Sequence, residues 1–132
     1  MTEFTARLTG AAPLDLQQTF ECGQCFRWLP VEGGGYTGVV GDRVLTLRTE
    51  GDTLLVAGLD QSETERLLIP YLALDEDYAA MQVLFCQNSQ LAEAVRYAPG
   101  IRVLRQDRWE ALCSFIISQN NNIKRIRGIV EN

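Results

Sequence analysis

The chain has no histidine, a single lysine and no excess of basic charge, and each shortage narrows its chemistry. Without histidine, a zinc site would need about four cysteine or carboxylate ligands converging. Of the four cysteines, only Cys22 and Cys25 are paired, in Cys22-Gly23-Gln24-Cys25. Cys86 and Cys113 stand alone and far off, the latter inside an apolar run. No metal and no cofactor is therefore expected. A CxxC redox pair should open a helix after a strand. Here Phe26-Arg27-Trp28-Leu29 and then Pro30 follow, which reads as a strand, and four free thiols fit a reducing compartment. A redox or metal module is the weakest of the functional alternatives. The chain also lacks any run of eighteen apolar residues and any basic, apolar leader, so neither a membrane span nor a signal peptide is expected.

A net charge of −5 on 132 residues argues against a general nucleic-acid binder. The charge is unevenly spread. Residues 1–100 hold six arginines and fourteen acids, a net −8, whereas residues 101–132 hold six basic residues and three acids, a net +3. A local DNA footprint on an acidic body has this distribution, as does a solvated helix face. Apolar content of 46% suffices for a core.

Short strands at roughly ten-residue spacing dominate the first half. Phe4–Leu8, Leu14–Phe20, Phe26–Leu29, Tyr36–Val40, Arg43–Thr49 and Thr53–Ala57 alternate apolar and polar residues, with turns at Gly33-Gly34-Gly35, Gly41-Asp42 and Glu50-Gly51-Asp52. Leu14, Leu16 and Phe20 are expected to face inward. At Ser62 the period changes. Ser62-Glu63-Thr64-Glu65 reads as a capping box for a helix that Pro70 kinks or ends. Further helices are expected over Asp75–Phe85, with Tyr78, Met81, Val83 and Leu84 buried, and over Ser89–Tyr97 before Pro99-Gly100. Strands followed by helices without alternation make an α+β chain.

The last third carries the functional signal. Asp107 caps a helix apolar on nearly every side (Trp109, Ala111, Leu112, Cys113, Phe115, Ile116, Ile117), which belongs in the middle of a domain. It stops in four amides, Gln119, Asn120, Asn121 and Asn122. Asn122 can cap another helix, whose first turns carry Lys124, Arg125 and Arg127. Amides suit base edges, and a cationic helix start suits phosphate. Asn-rich runs between helices are also ordinary turns, because Asn tolerates left-handed backbone and caps helices.

Val103-Leu104-Arg105-Gln106-Asp107-Arg108-Trp109-Glu110-Ala111-Leu112 and Ser114 to Ile126 resemble the signature of 8-oxoguanine DNA glycosylases. The main departure is Arg108, where the family often has proline at the first helical position; little is lost by it. Phe20-Glu21-Cys22-Gly23-Gln24-Cys25-Phe26-Arg27-Trp28 is similar to the family's second signature. The resemblance covers nearly the whole chain. It implies a TBP-like antiparallel sheet domain with flanking helices over 1–100, followed at 101–132 by the first helices of an all-α glycosylase domain.

The resemblance also implies roles. The Gly23 carbonyl would accept a hydrogen bond from N7–H of the oxidised guanine; undamaged guanine offers only a lone pair there and is repelled. Asn120 would fill the gap left by the flipped base, and Arg125 would read the orphaned cytosine, with Gln119, Asn121, Asn122 and Lys124 as further DNA contacts. The implied partner is duplex DNA containing 8-oxoguanine, and the implied compartment is the nucleoid-bearing cytoplasm of a bacterium or a eukaryotic nucleus. The family's catalytic lysine and aspartate belong to a downstream helix-hairpin-helix. The chain is expected to lack them, to be truncated and inactive alone, and to self-associate through an apolar patch at Phe115, Ile116 and Ile129. Lys124 is a poor substitute nucleophile, since it opens an exposed helix. A non-catalytic module that binds damaged DNA is the main alternative.

Overall fold

The computed structural model describes residues 2–132. Five strands form one antiparallel sheet in the order β1-β5-β4-β3-β2, with β1 Ala6–Leu8, β2 Trp28–Pro30, β3 Tyr36–Val40, β4 Arg43–Glu50 and β5 Thr53–Ala57. The hairpins pair Tyr36 with Leu47, Gly38 with Leu45 and Leu47 with Val56, so these alternate residues share the buried face. Gly38 is required by close approach, because the Trp28 ring lies where a Cβ would sit. Pro30 is tolerated because β2 is an edge strand.

Residues Leu14–Phe20 do not form the expected strand. Asp15 accepts from the Gln18 N–H at 2.9 Å and caps a short helix, α1 (Leu16–Phe20). Leu16 and Phe20 are buried, as expected, but through i, i+4 spacing. A capped turn needs no neighbouring strand, and the apolar spacing satisfied either period. Phe20 stacks on Trp28 with centroids 4.3 Å apart, and Tyr36 meets Phe20 edge-on at 5.5 Å. Trp28 Nε1 donates to the Tyr71 hydroxyl at 3.0 Å. These contacts join sheet, α1 and α2 in one core.

Helix α2 (Gln61–Tyr71) starts earlier than expected. Its capping box is Asp60 with Glu63, since the Asp60 carboxylate reaches the Glu63 N–H at 2.8 Å; Ser62 already lies inside the helix. Pro70 does end it, one residue before its last. Helix α3 (Tyr78–Phe85) begins at the Asp77 cap rather than at Asp75. Tyr78 and Met81 are half-buried, but Val83 and Leu84 are exposed, against expectation: apolar residues surround α3, and only one side of it meets the rest of the chain. Helix α4 covers Ser89–Tyr97 as expected.

Helix α5 (Arg108–Ser118) is capped by Asp107 and helix α6 (Ile123–Val130) by Asn122, both as read from the sequence. The central placement expected for α5 does not hold: it has no fully buried residue, and Trp109 and Phe115 are 72% and 63% exposed. The exposed set includes Phe115, Ile116 and Ile129, the expected open patch. No helix among the described residues is long and apolar enough to cross a membrane.

Candidate nucleic-acid interface

The turn after α1 carries Gly23 at φ +90°, a conformation that costs any side-chain-bearing residue free energy. A Cβ there would meet nothing within 4 Å, so in this chain the constraint on Gly23 is backbone conformation and the space beside it is open. The CxxC pair lies in this turn. The Cys22 thiol donates to the Thr19 carbonyl at 3.4 Å and the Cys25 thiol to the Phe20 carbonyl at 3.7 Å. Burial, then the neighbouring Cys22, pushes Cys25 up to about 12, while Arg127 pulls the other way. A thiol so disposed to stay protonated is a poor nucleophile or metal ligand.

Gln24 locks the turn to the segment that leads into α5. Its Nε2 donates to the carbonyls of Thr19 (2.8 Å) and Arg102 (2.7 Å), and its Oε1 accepts from the Leu104 N–H (2.9 Å). Gln106 Nε2 returns a bond to the Gln24 carbonyl at 2.5 Å. The Arg27–Glu110 ion pair at 3.1 Å ties the following residues to α5 itself. Beneath this seam Arg102 is buried. Its guanidinium donates to the carbonyls of Pro13, Ala73, Glu76 and Ala11 and lies 4.3 Å from the Tyr78 ring centroid. Burial lowers its pKa, yet four carbonyl acceptors compensate a charge kept out of water. At Gly100 the backbone accepts from Asp15 N–H at 2.7 Å, with no room for a Cβ. Residue-by-residue reading missed Gln24, Arg102 and Gln106; the only signal was an arginine between two apolar residues, Ile101 and Val103.

The four amides after α5 divide sharply. Gln119 Nε2 donates to Phe115 O at 3.3 Å, Asn121 Nδ2 to Ile117 O at 2.6 Å, and Asn122 Oδ1 accepts from Arg125 N–H at 3.0 Å. These three side chains close one helix and open the next. Asn120 differs: it sits at φ +56°, exposed, with no side-chain hydrogen bond among the described residues. Lys124 and Arg125 are likewise exposed and unpaired there. Helix α6 packs against α5 and buries Ile126, and Val130 at its end and the following Glu131 share a groove of about 320 Å³ with Arg27 and Leu29. The turn is thus hydrogen-bonded to the segment that leads into α5, and α5 in turn carries the amide loop and packs against α6.

The fold defines an α+β class in which one antiparallel sheet is followed by a run of helices, and the comparisons place it. The family profile "8-oxoguanine DNA glycosylase, N-terminal domain" matches residues 8–112. The chain is 33% identical over 124 residues to "N-glycosylase/DNA lyase OGG1" of Arabidopsis thaliana, covering 89% of this chain and 34% of that protein. It superimposes with a TM-score of 0.88 and 43% identity on MBOgg1 in complex with a low-affinity DNA ligand, covering 92% of this chain and 42% of that one. With a Clostridium acetobutylicum 8-oxoguanine glycosylase/lyase bound to duplex DNA containing cytosine opposite 8-oxoG, the TM-score is 0.83 at 35% identity, covering 86% and 39%. The chain belongs to the 8-oxoguanine DNA glycosylase family. It spans about a third of the curated relative and about two fifths of these solved chains.

Proposed function

We propose that this chain is the damage-recognition portion of an 8-oxoguanine DNA glycosylase with associated lyase activity, and that by itself it binds but does not cut. The observation that carries this reading is the Gln24 seam, which holds the Gly23 turn and the start of α5 in one frame. Discrimination by a single carbonyl requires such rigidity, because a misplaced acceptor no longer separates N7–H from a bare N7 lone pair. The base is extruded from the duplex, and its N7–H donates to the Gly23 carbonyl. Asn120, the one amide not spent on helix ends, enters the vacated space. Arg125 donates to the acceptors of the unpaired cytosine, while Lys124 and the backbone at Gln119, Asn121 and Asn122 lie against the strand.

No residue of the chain is assigned to bond cleavage. Lys124 is exposed on α6, and an amine nucleophile must be held neutral by desolvation or neighbouring cations. Lysine and aspartate for that step belong to sequence beyond the helices described. The domain boundary is placed at Gly100–Ile101, and the protein acts where its DNA is, in the nucleoid-bearing cytoplasm or the nucleus.

Binding to a duplex with one 8-oxoguanine:C pair, compared with the same duplex carrying guanine, tests recognition; equal affinity for the two would sink it. Borohydride treatment of the first complex should trap no covalent adduct. A trapped band that vanished in Lys124→Ala would assign catalysis to this chain.

A further inference from the structure

A groove of about 380 Å³ lies between α3 and the extended residues 101–105, and it shares no residue with the Gly23 turn or the amide loop. From α3 it is lined by Tyr78, Met81, Gln82 and Phe85, which recur at i, i+3, i+4 and i+7 and so share one helix face. Val103 lines it from the extended segment. Phe85 is 43% and Val103 69% exposed, so the apolar lining is open to solvent.

The polar side chains in the lining are already bonded. Arg105 donates to Glu76 and also holds Asp75. Gln82 Nε2 donates to the Pro99 carbonyl, and the Tyr78 hydroxyl accepts from the Val103 N–H. Every backbone N–H from Ile101 to Arg105 is spent as well, on Ala98, Thr19, Tyr78, Gln24 and Tyr71 in turn. A peptide adding itself as a strand would find no donor on this segment. What the groove offers is apolar side-chain surface.

The charge around it is acidic. Residues 61–100 hold six acids and two arginines, a net −4. Asp75, Glu76 and Asp77 are consecutive and all exposed, and Glu76 is in the lining itself. Arg102, whose guanidinium stacks on the Tyr78 ring, is buried and bonded to carbonyls. Such a field repels phosphate and draws a cation.

We propose that this groove takes a cationic amphipathic helix of a partner protein. The helix sets apolar side chains against Met81, Phe85 and Val103 and places lysine or arginine toward Glu76 and its acidic neighbours. A helix satisfies its own backbone and presents apolar anchors along one face, so it needs no donor from its host.

The test is fluorescence anisotropy of the full 132-residue chain with a labelled helical peptide of leucine and lysine, leucine at i, i+3, i+4 and i+7. A second peptide has glutamate in place of lysine. The lysine peptide should bind, and the glutamate peptide at least about tenfold more weakly. Phe85→Glu and Val103→Glu, each verified as folded by circular dichroism, should each weaken the lysine peptide by about tenfold or more. Glu76→Gln keeps an acceptor for Arg105 and removes one charge; about a threefold loss, erased by salt, is expected. Phe115→Glu with Ile116→Glu, on the other exposed apolar face, should leave the affinity unchanged. A parent chain that binds neither peptide or both equally would overturn the proposal, as would folded Phe85→Glu and Val103→Glu chains that bind like the parent. Sedimentation in which those two substitutions dissociate oligomers of the chain would overturn it too, because the groove would then hold a second copy.

Discussion

Gln24 and Arg102 stand 78 residues apart in the chain, yet the Gln24 amide nitrogen lies 2.7 Å from the Arg102 carbonyl oxygen. Counting the return bond from Gln106, four hydrogen bonds converge on Gln24. The seam places a sheet-side turn and a helix-side segment in fixed register.

Gln24→Glu should be more harmful than Gln24→Ala. The carboxylate would face two carbonyl oxygens with no proton to give, whereas alanine leaves those groups to water. Losses of about 2–3 kcal/mol for alanine and more for glutamate are expected, by urea denaturation. A glutamate variant as stable as alanine would show that the turn relaxes away from Arg102.

Gly23→Ala should damage recognition more than folding. The left-handed backbone costs a side chain about 1 kcal/mol, and a Cβ meets no protein atom. Turning the carbonyl to relieve that strain should cost at least about 2 kcal/mol in kcat/KM for the oxidised base, measured in a chain that includes the catalytic lysine and aspartate. Equal losses on an abasic substrate, which presents no base to read, would make the effect purely structural.

Alkaline pH should destabilise the fold in a defined window. Burial, then Cys22, raises Cys25 from 9.0 to about 12. Burial, then the hydrogen bond to Glu21, raises Tyr36 from 10.0 to about 12. In both, the folded state holds its proton more tightly than the unfolded one. Their contribution is full below about pH 9 and is lost as pH rises to about 12. The melting temperature should fall between pH 8 and 10.5, and Cys25→Ala should fall less over that interval. Identical drops would assign the effect to other groups.

The apolar face of α5 and α6 should drive association of the isolated chain. Trp109, Leu112, Phe115, Ile116 and Ile129 are all substantially exposed. Together they open several hundred Å², more than most monomers leave bare; at about 25 cal/mol per Å², covering it with a second copy gains several kcal/mol. Sedimentation at micromolar concentration should show oligomers that bind a hydrophobic dye. Phe115→Glu with Ile116→Glu should remove both properties without lowering the melting temperature. A monomer that binds no dye would favour a self-contained DNA-binding module.

Local features of this protein were determined by sequence alone. Asp107 and Asn122 cap their helices because a short side-chain acceptor reaches N–H groups within three residues, whatever surrounds them. The β3–β4 and β4–β5 hairpins follow from alternation and from turns whose geometry is set by adjacent residues. The two signature stretches are continuous in the chain, so the family was legible from residue order. Tertiary structure decided the rest, through contacts between distant residues. The stretch 14–20 fits either period until Asp15 and the packing of Phe20 on Trp28 select a helix. Which of the four amides stays free is, by contrast, a local matter, settled by carbonyls four residues back at Phe115 and Ile117 and by the Asn122 cap. Nothing near Arg102 in the chain marks it for burial, because its acceptors are supplied by residues 26 to 91 positions away. Arg127 differs from Arg125 by two positions on one helix, and only the packing of α6 leaves Arg127 half-buried while Arg125 is exposed.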